Sequence, residues 1–160
     1  THIPISRVSK NVKKKDIIIK IKKINNFYKK YFKKKPKFGI TGLNPHCESF
    51  DDENKEKKEI IPAIKILKKS KINVSGPFAA DTIFLKENIK KYDVIFGMYH
   101  DQVLSPMKTL FGFNAINITL GLPFIRISPD HGPNVQMLGK NKSNPKSLIE
   151  SILFFKKYEI

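Results

Sequence analysis

The chain has 160 residues, 40% of them hydrophobic, with 31 basic against 14 acidic side chains and a formal net charge of +17. That length supports one ordinary core, no apolar run reaches the roughly 18 residues of a membrane-spanning helix, and the lone Cys47 excludes an intrachain disulfide, which together suggest one cytoplasmic domain in a reducing compartment. The charge invites a nucleic-acid partner, but Arg7 and Arg126 are the only arginines, and specific recognition of bases and phosphates leans on the arginine fork. Lysine runs at 13–15 and 33–35 therefore read as solvated faces, with no specific nucleic acid and no membrane as partner.

In chain order, Ile17, Ile21, Ile24, Tyr28 and Tyr31 recur at spacings of three and four, which predicts a helix over 16–34 ended by Pro36. "FGIT" (38–41) reads as a short buried strand and "GLNPH" as the turn after it. Ile60, Ile64 and Leu67 predict a second helix over 53–69, acidic near its start to suit the helix dipole, with Pro62 inside the span. "INV" (72–74) is a predicted strand broken by "SGP" at 75–77, and "DTIFLKENIKK" a short helix. "YDVIFG" is another buried strand, from which "MYHDQVLSPMK" (98–108) emerges as a polar loop. "INITLGLPFIRIS" (116–128) holds one or two strands split by Gly121 and Pro123, and "SPDHGPNVQMLGK" (128–140) is a Gly/Pro loop. A last helix opens with Asn144 as its cap and Pro145 at its first position. Helices alternating with short apolar strands indicate an α/β sheet covered on both faces. Ligands bind such sheets beyond the carboxyl ends of the strands, where "GLNPH", "GPFAADT" and "YHDQ" would emerge together.

Four histidines, His2, His46, His100 and His131, are the first candidates for chemistry. Their spacing matches no short metal motif, so each reads either as structural or as a ligand. Imidazoles near Asp81 and Asp101 on one sheet edge would suit zinc, cobalt or another divalent ion. Lys108, Asn117 and Arg126 each fall near a strand or its end. Arg126 stands between Ile125 and Ile127 in an apolar segment. If buried it requires an anion, which is either a core carboxylate or a phosphate or carboxylate on a substrate.

Taken in order, "THIP", "GLNPH", "GPFAADTIF", "MYHDQ", "NITLGLPFIR" and "DHG" resemble the PdxA family of 4-hydroxythreonine-4-phosphate dehydrogenases, over residues 1–160 and in that family's C-terminal half alone. The resemblance implies a three-layer α/β/α fold like that of isopropylmalate and isocitrate dehydrogenases, incomplete at the N-terminus. It further implies a homodimer with active sites at the subunit interface, acting on a small phosphorylated substrate with NAD and a divalent metal ion such as Zn, Mg or Co. The activity implied is oxidation of 4-phosphooxy-L-threonine with decarboxylation to 3-amino-2-oxopropyl phosphate, in vitamin B6 synthesis. By position, His2, His46 and His100 match the metal ligands, and Lys108, Asn117 and Arg126 the substrate contacts. Lys108, Asp81 and Asp101 are the catalytic candidates for taking the hydroxyl proton, and His131, Gly132 and Asn134 of the "DHGPN" loop match the cofactor contact. Three places depart from the family pattern: Val103 replaces a glycine, "CESFDDENK" replaces a Gly-rich loop, and Pro133 removes a backbone donor. Two other readings fit the same residues: a dehydrogenase of another phosphorylated or carboxylated hydroxy acid, and a non-catalytic member that keeps the metal ligands.

Overall fold

The computed structural model describes residues 2–48, 54–133 and 135–158. Contacts group them into two compact units, Thr1–Pro106 and Met107–Ile160, where length alone suggests one.

The first unit is built on a three-stranded parallel sheet in the order β2-β1-β3, comprising β1 (Phe38–Thr41), β2 (Val74–Phe78) and β3 (Val94–Phe96). All four residues of β1 are buried, as a central strand of a parallel sheet requires. Phe38 and Ile40 face a core supplied by α1 (Ile5–Asn11), α2 (Lys14–Tyr31) and α3 (Ile61–Lys69), through Val8, Ile17, Ile21, Ile64 and Leu67. The lysines of α2 fall on its outer side, so the periodicity of Ile17 and Ile21 does place the helix as expected.

Gly39 points to the other face. A Cβ there would lie 2.9 Å from Ile83 Cδ1 and 3.0 Å from the Tyr92 ring, so that close approach requires a glycine. Ile83 ends the short helix α4 (Ala80–Ile83), which is followed by α5 (Lys86–Ile89). The sheet thus has helices on both faces, the α/β layering expected from the sequence.

Three expectations for this unit need correction. The "SGP" segment does not end its strand but lies inside β2, which starts at Val74. Because β2 is an edge strand, the missing N–H of Pro77 breaks no ladder. Gly76 has φ of 131°, and its pairing with β1 shifts register between Gly39 and Thr41. Residues 53–69 are not one regular helix, because a wider π turn (Glu56–Ile60) precedes α3. Pro62, which lacks an N–H, sits in the first turn of α3, where that donor is not needed. Finally, "MYHDQVLSPMK" is mostly helix. α6 (His100–Phe111) begins four residues after β3, with Asp101 in its first turn to complement the helix dipole.

The second unit contains an antiparallel pair, β4 (Ile116–Thr119) and β5 (Arg126–Pro129), with α7 (Lys146–Tyr158) packed on both strands. The "INITLGLPFIRIS" segment is therefore two strands. Asn144 Oδ1 accepts a hydrogen bond from Lys146 N at 3.0 Å, the cap expected for α7. Ser147 Oγ donates to Ala115 O at 2.6 Å and accepts from Asp130 N at 2.9 Å, which ties α7 to both ends of the hairpin.

Candidate functional site

Because β1, β2 and β3 are parallel, the segments after them leave from the same edge. At that edge His2, just before α1, and His100, at the first position of α6, bring their ring centroids to 4.7 Å. His100 Nδ1 lies 2.8 Å from Asp101 Oδ1. A carboxylate only accepts, so it selects the tautomer with the proton on Nδ1 and leaves Nε2 as the ring's lone-pair donor.

His46 lies in the turn Pro45–Cys47 after β1, with φ of 55°, and is exposed. Asp81, in the first turn of α4, is also exposed, and α4 packs against this turn. Burial pushes the neighbouring Cys47 thiol up, and the charges of Glu56, Asp81 and Glu48 raise it further against a lowering backbone hydrogen bond from Gly42. Cys47 is thus held as a neutral thiol rather than a reactive thiolate. Among the described residues no three His, Cys, Asp or Glu side chains converge closely enough to hold a metal ion. The structure therefore pairs two of the three expected ligands and leaves His46 on the adjoining turn. Two neighbouring imidazoles, tilted at 55° and one of them oriented by a carboxylate, are a donor pair of the kind that suits a divalent first-row ion.

Gln102, which sequence reasoning left without a role, organises this edge. It is 8% exposed, and its Oε1 accepts from Thr41 Oγ1 at 2.8 Å and Met98 N at 2.7 Å while its Nε2 donates to Gly42 O at 2.8 Å. One amide thereby joins the end of β1 to the start of α6, two residues beyond His100. The only hint in the sequence is its place in the run "YHDQ". Val103 packs its Cγ2 against Gly97, where no Cβ could fit beside it.

In the second unit, Lys108 Nζ lies 2.9 Å from Asp130 Oδ2 and also donates to the Asp130 carbonyl. The register Asn117↔Ser128 and Thr119↔Arg126 puts Asn117 and Arg126 on one face of the hairpin. Both are exposed, which corrects the expectation of a buried arginine: Arg126 opens β5 and donates to Thr119 Oγ1 at 3.3 Å. It is available to an anion but does not need one to compensate for burial. His131 Nδ1 lies 3.2 Å from Gly132 O, and Gly132 borders open space. Asn134 lies outside the described residues.

A parallel α/β sheet with imidazoles at its carboxyl edge is the scaffold of a ligand-binding α/β protein, and the solved structures it resembles include dehydrogenases. The 4-hydroxythreonine-4-phosphate dehydrogenase of Klebsiella pneumoniae superposes with a TM-score of 0.83 at 30% identity, covering 99% of this chain and 49% of that one. Residues 1–154 match the family of the pyridoxal phosphate biosynthetic protein PdxA, and the chain belongs to that family. Two curated relatives named 4-hydroxythreonine-4-phosphate dehydrogenase are similar over 95% of the chain: that of Sulfurihydrogenibium sp. is 44% identical and that of Aquifex aeolicus 41%. The chain spans 47% of the length of each.

Proposed function

We propose that this chain supplies the metal- and substrate-binding part of an NAD-dependent 4-hydroxythreonine-4-phosphate dehydrogenase in pyridoxal 5'-phosphate synthesis. The observation that carries this reading is the His2–His100 pair at the sheet edge, in a chain 44% identical to a relative of that name. His2, His46 and His100 would hold a divalent ion (Zn, Mg or Co), whose chemistry is to stabilise negative charge developing on the substrate oxygen during hydride loss and decarboxylation. Lys108 and Arg126 would neutralise the anionic groups of 4-phosphooxy-L-threonine, and Asn117, on the same hairpin face as Arg126, would orient it. NAD, which the His131–Gly132–Asn134 loop would hold, would supply the hydride acceptor for the carbon bearing the hydroxyl; Asp81 or Asp101 would take the hydroxyl proton, or Lys108 would do so in a form that is not neutralising the substrate's anionic groups. The β-keto acid formed then loses carbon dioxide, leaving 3-amino-2-oxopropyl phosphate. The working form in this reading is a cytoplasmic homodimer, and no helix among the described residues is long and apolar enough to cross a membrane.

The test is NADH formation from 4-phosphooxy-L-threonine with Zn²⁺ or Mg²⁺, using the chain alone and joined to the amino-terminal half of the Sulfurihydrogenibium relative. Activity in the joined protein that disappears with His100→Ala is the expected result. A folded, metal-loaded protein that produces no NADH would exclude this substrate.

A further inference from the structure

Glu56 is the most deeply buried ionisable side chain among the described residues, at 1% exposure. Its Oε1 accepts hydrogen bonds from Leu43 N at 2.7 Å and Asn44 N at 2.8 Å, and its Oε2 accepts one from Asn44 Nδ2 at 3.0 Å. All three donors belong to the short segment between β1 and His46. Burial alone would raise the Glu56 carboxyl, but the hydrogen bonds from Asn44, from its own backbone N–H and from Leu43 outweigh it, and the group is lowered. An anion is thus the stable form in a place where an unpaired carboxylate would be costly.

The turn that Glu56 grips is itself strained. His46 and Cys47 have φ of 55° and 62°, two consecutive non-glycine residues in left-handed conformation. Such conformations are unfavourable for residues with a Cβ and persist only where their surroundings impose them. The turn also folds tightly back on itself, since a Cβ on Gly42 would lie 2.8 Å from Cys47 Sγ and 3.1 Å from Glu56 Oε1. In the sequence Glu56 is one acid in a lysine- and glutamate-rich run, indistinguishable from a residue that merely complements a helix dipole.

We propose that Glu56 is a positioning residue for the metal site: its buried carboxylate fixes segment 43–44 so that the following turn presents the His46 imidazole to a divalent cation. This rests on the reading of His2, His46 and His100 as ligands. The side chain itself touches neither cation nor substrate.

The experiment pairs Zn²⁺ titration calorimetry with amide hydrogen exchange on the full chain and on Glu56→Leu, Glu56→Gln, His46→Ala and the Glu56→Leu/His46→Ala double variant. Leu43 and Asn44 amides are expected to be protected in the parent and released in Glu56→Leu, with a loss of Zn²⁺ affinity of about 10- to 100-fold. The double variant should bind no more weakly than His46→Ala, because both changes remove the same ligand. Glu56→Gln keeps an acceptor for the two backbone donors, and rotation of the Asn44 amide restores the third contact, so most of the affinity should return. If Glu56→Leu does not fold, Asn44→Ala replaces it, with an expected loss of about fivefold for one hydrogen bond. Unchanged affinity in a folded Glu56→Leu with released amides, or additive losses in the double variant, would overturn the proposal. Unprotected Leu43 and Asn44 amides in the parent would overturn it whatever the metal does. A parent that protects both amides but binds no Zn²⁺ sinks the metal reading instead, leaving Glu56 an anchor of the turn with no ligand to position.

Discussion

The imidazoles of His2 and His100 approach to 4.7 Å between ring centroids, and the Asp101 carboxylate lies 2.8 Å from Nδ1 of His100. If the pair shares a cation, the carboxylate fixes the tautomer that leaves Nε2 facing it. Asp101→Asn should then weaken Zn²⁺ binding by about 10- to 100-fold, and His100→Ala should weaken it at least as much. Titration calorimetry measures both, and unaltered affinity in the pair of variants would remove His100 from the metal site.

A second expectation concerns Gln102, whose three hydrogen bonds, two of them buried, join Thr41, Gly42 and Met98. Gln102→Ala leaves the Met98 N–H and the Gly42 carbonyl without that partner, while the Thr41 hydroxyl keeps the Phe96 carbonyl at 3.3 Å. Each unsatisfied buried group costs about 1–3 kcal/mol. Partial entry of water reduces the sum, so a loss of about 2–4 kcal/mol is expected from urea unfolding, with an unchanged m-value. Gln102→Glu should be nearly as harmful, because it turns an oxygen toward the Gly42 carbonyl that the amide now donates to. A midpoint within error of the parent in both variants would show that the amide does not join the two elements.

Much of this architecture was legible in the sequence, and the failures share a physical cause. "FGIT" was readable as a buried strand because a central parallel strand is apolar on both faces, and Asn144 as a cap because its chemistry is local. The "SGP" segment misled because Pro and Gly usually end strands, whereas here an edge position and a close approach of Gly76 to Ile40 permit both. Arg126 looked buried from its apolar neighbours, but alternation along β5 turns it away from Ile125 and Ile127, onto the face shared with Asn117. Gln102 and Glu56 were missed because their partners, Thr41 to Asn44, lie in a different element. Only the fold brings them together.

Stability should fall in acid, and Asp93 and Glu56 are two groups responsible. The hydrogen bond from Lys34 holds the Asp93 carboxyl down against partial burial, with help from the Lys37 backbone N–H at 2.9 Å. For Glu56, burial is outweighed by the bonds from Asn44, from its own backbone N–H and from Leu43. Both carboxyls therefore titrate lower folded than unfolded. Each contributes stability above the unfolded carboxylate value of roughly 4 and loses it as pH falls through the lower folded value. The urea midpoint should hold between about pH 7 and 5 and drop below about pH 4. Since the Lys34 side chain is 57% exposed, Asp93→Asn should cost no more than about 1 kcal/mol at pH 7, and that cost should shrink as pH falls below about 4 and through the lower folded value. A cost that grows in acid would contradict this sign.

If Lys108 contacts the proposed substrate, its ion pair with Asp130 sets a condition on that binding. Asp130 is the better buried partner, with its side chain 14% exposed against 44% for Lys108, and its backbone is pinned to Ser147 Oγ. A phosphate or carboxylate that uses Lys108 must therefore share the ammonium with Asp130 or draw it away. Asp130→Asn keeps the shape and the backbone contacts but removes the competing charge, so binding of 4-phosphooxy-L-threonine should tighten several-fold at low ionic strength. That gain should fade toward about 1 M salt, where the Debye length falls to about 3 Å. Lys108→Met should weaken binding, and in its background Asp130→Asn should add little. The opposite outcome, in which Asp130→Asn weakens binding as much as Lys108→Met, would mean that the carboxylate orients the lysine for the ligand rather than competing for it. Titration calorimetry at two salt concentrations separates the two cases, because competition predicts a gain that salt removes and orientation predicts a loss that salt does not reverse.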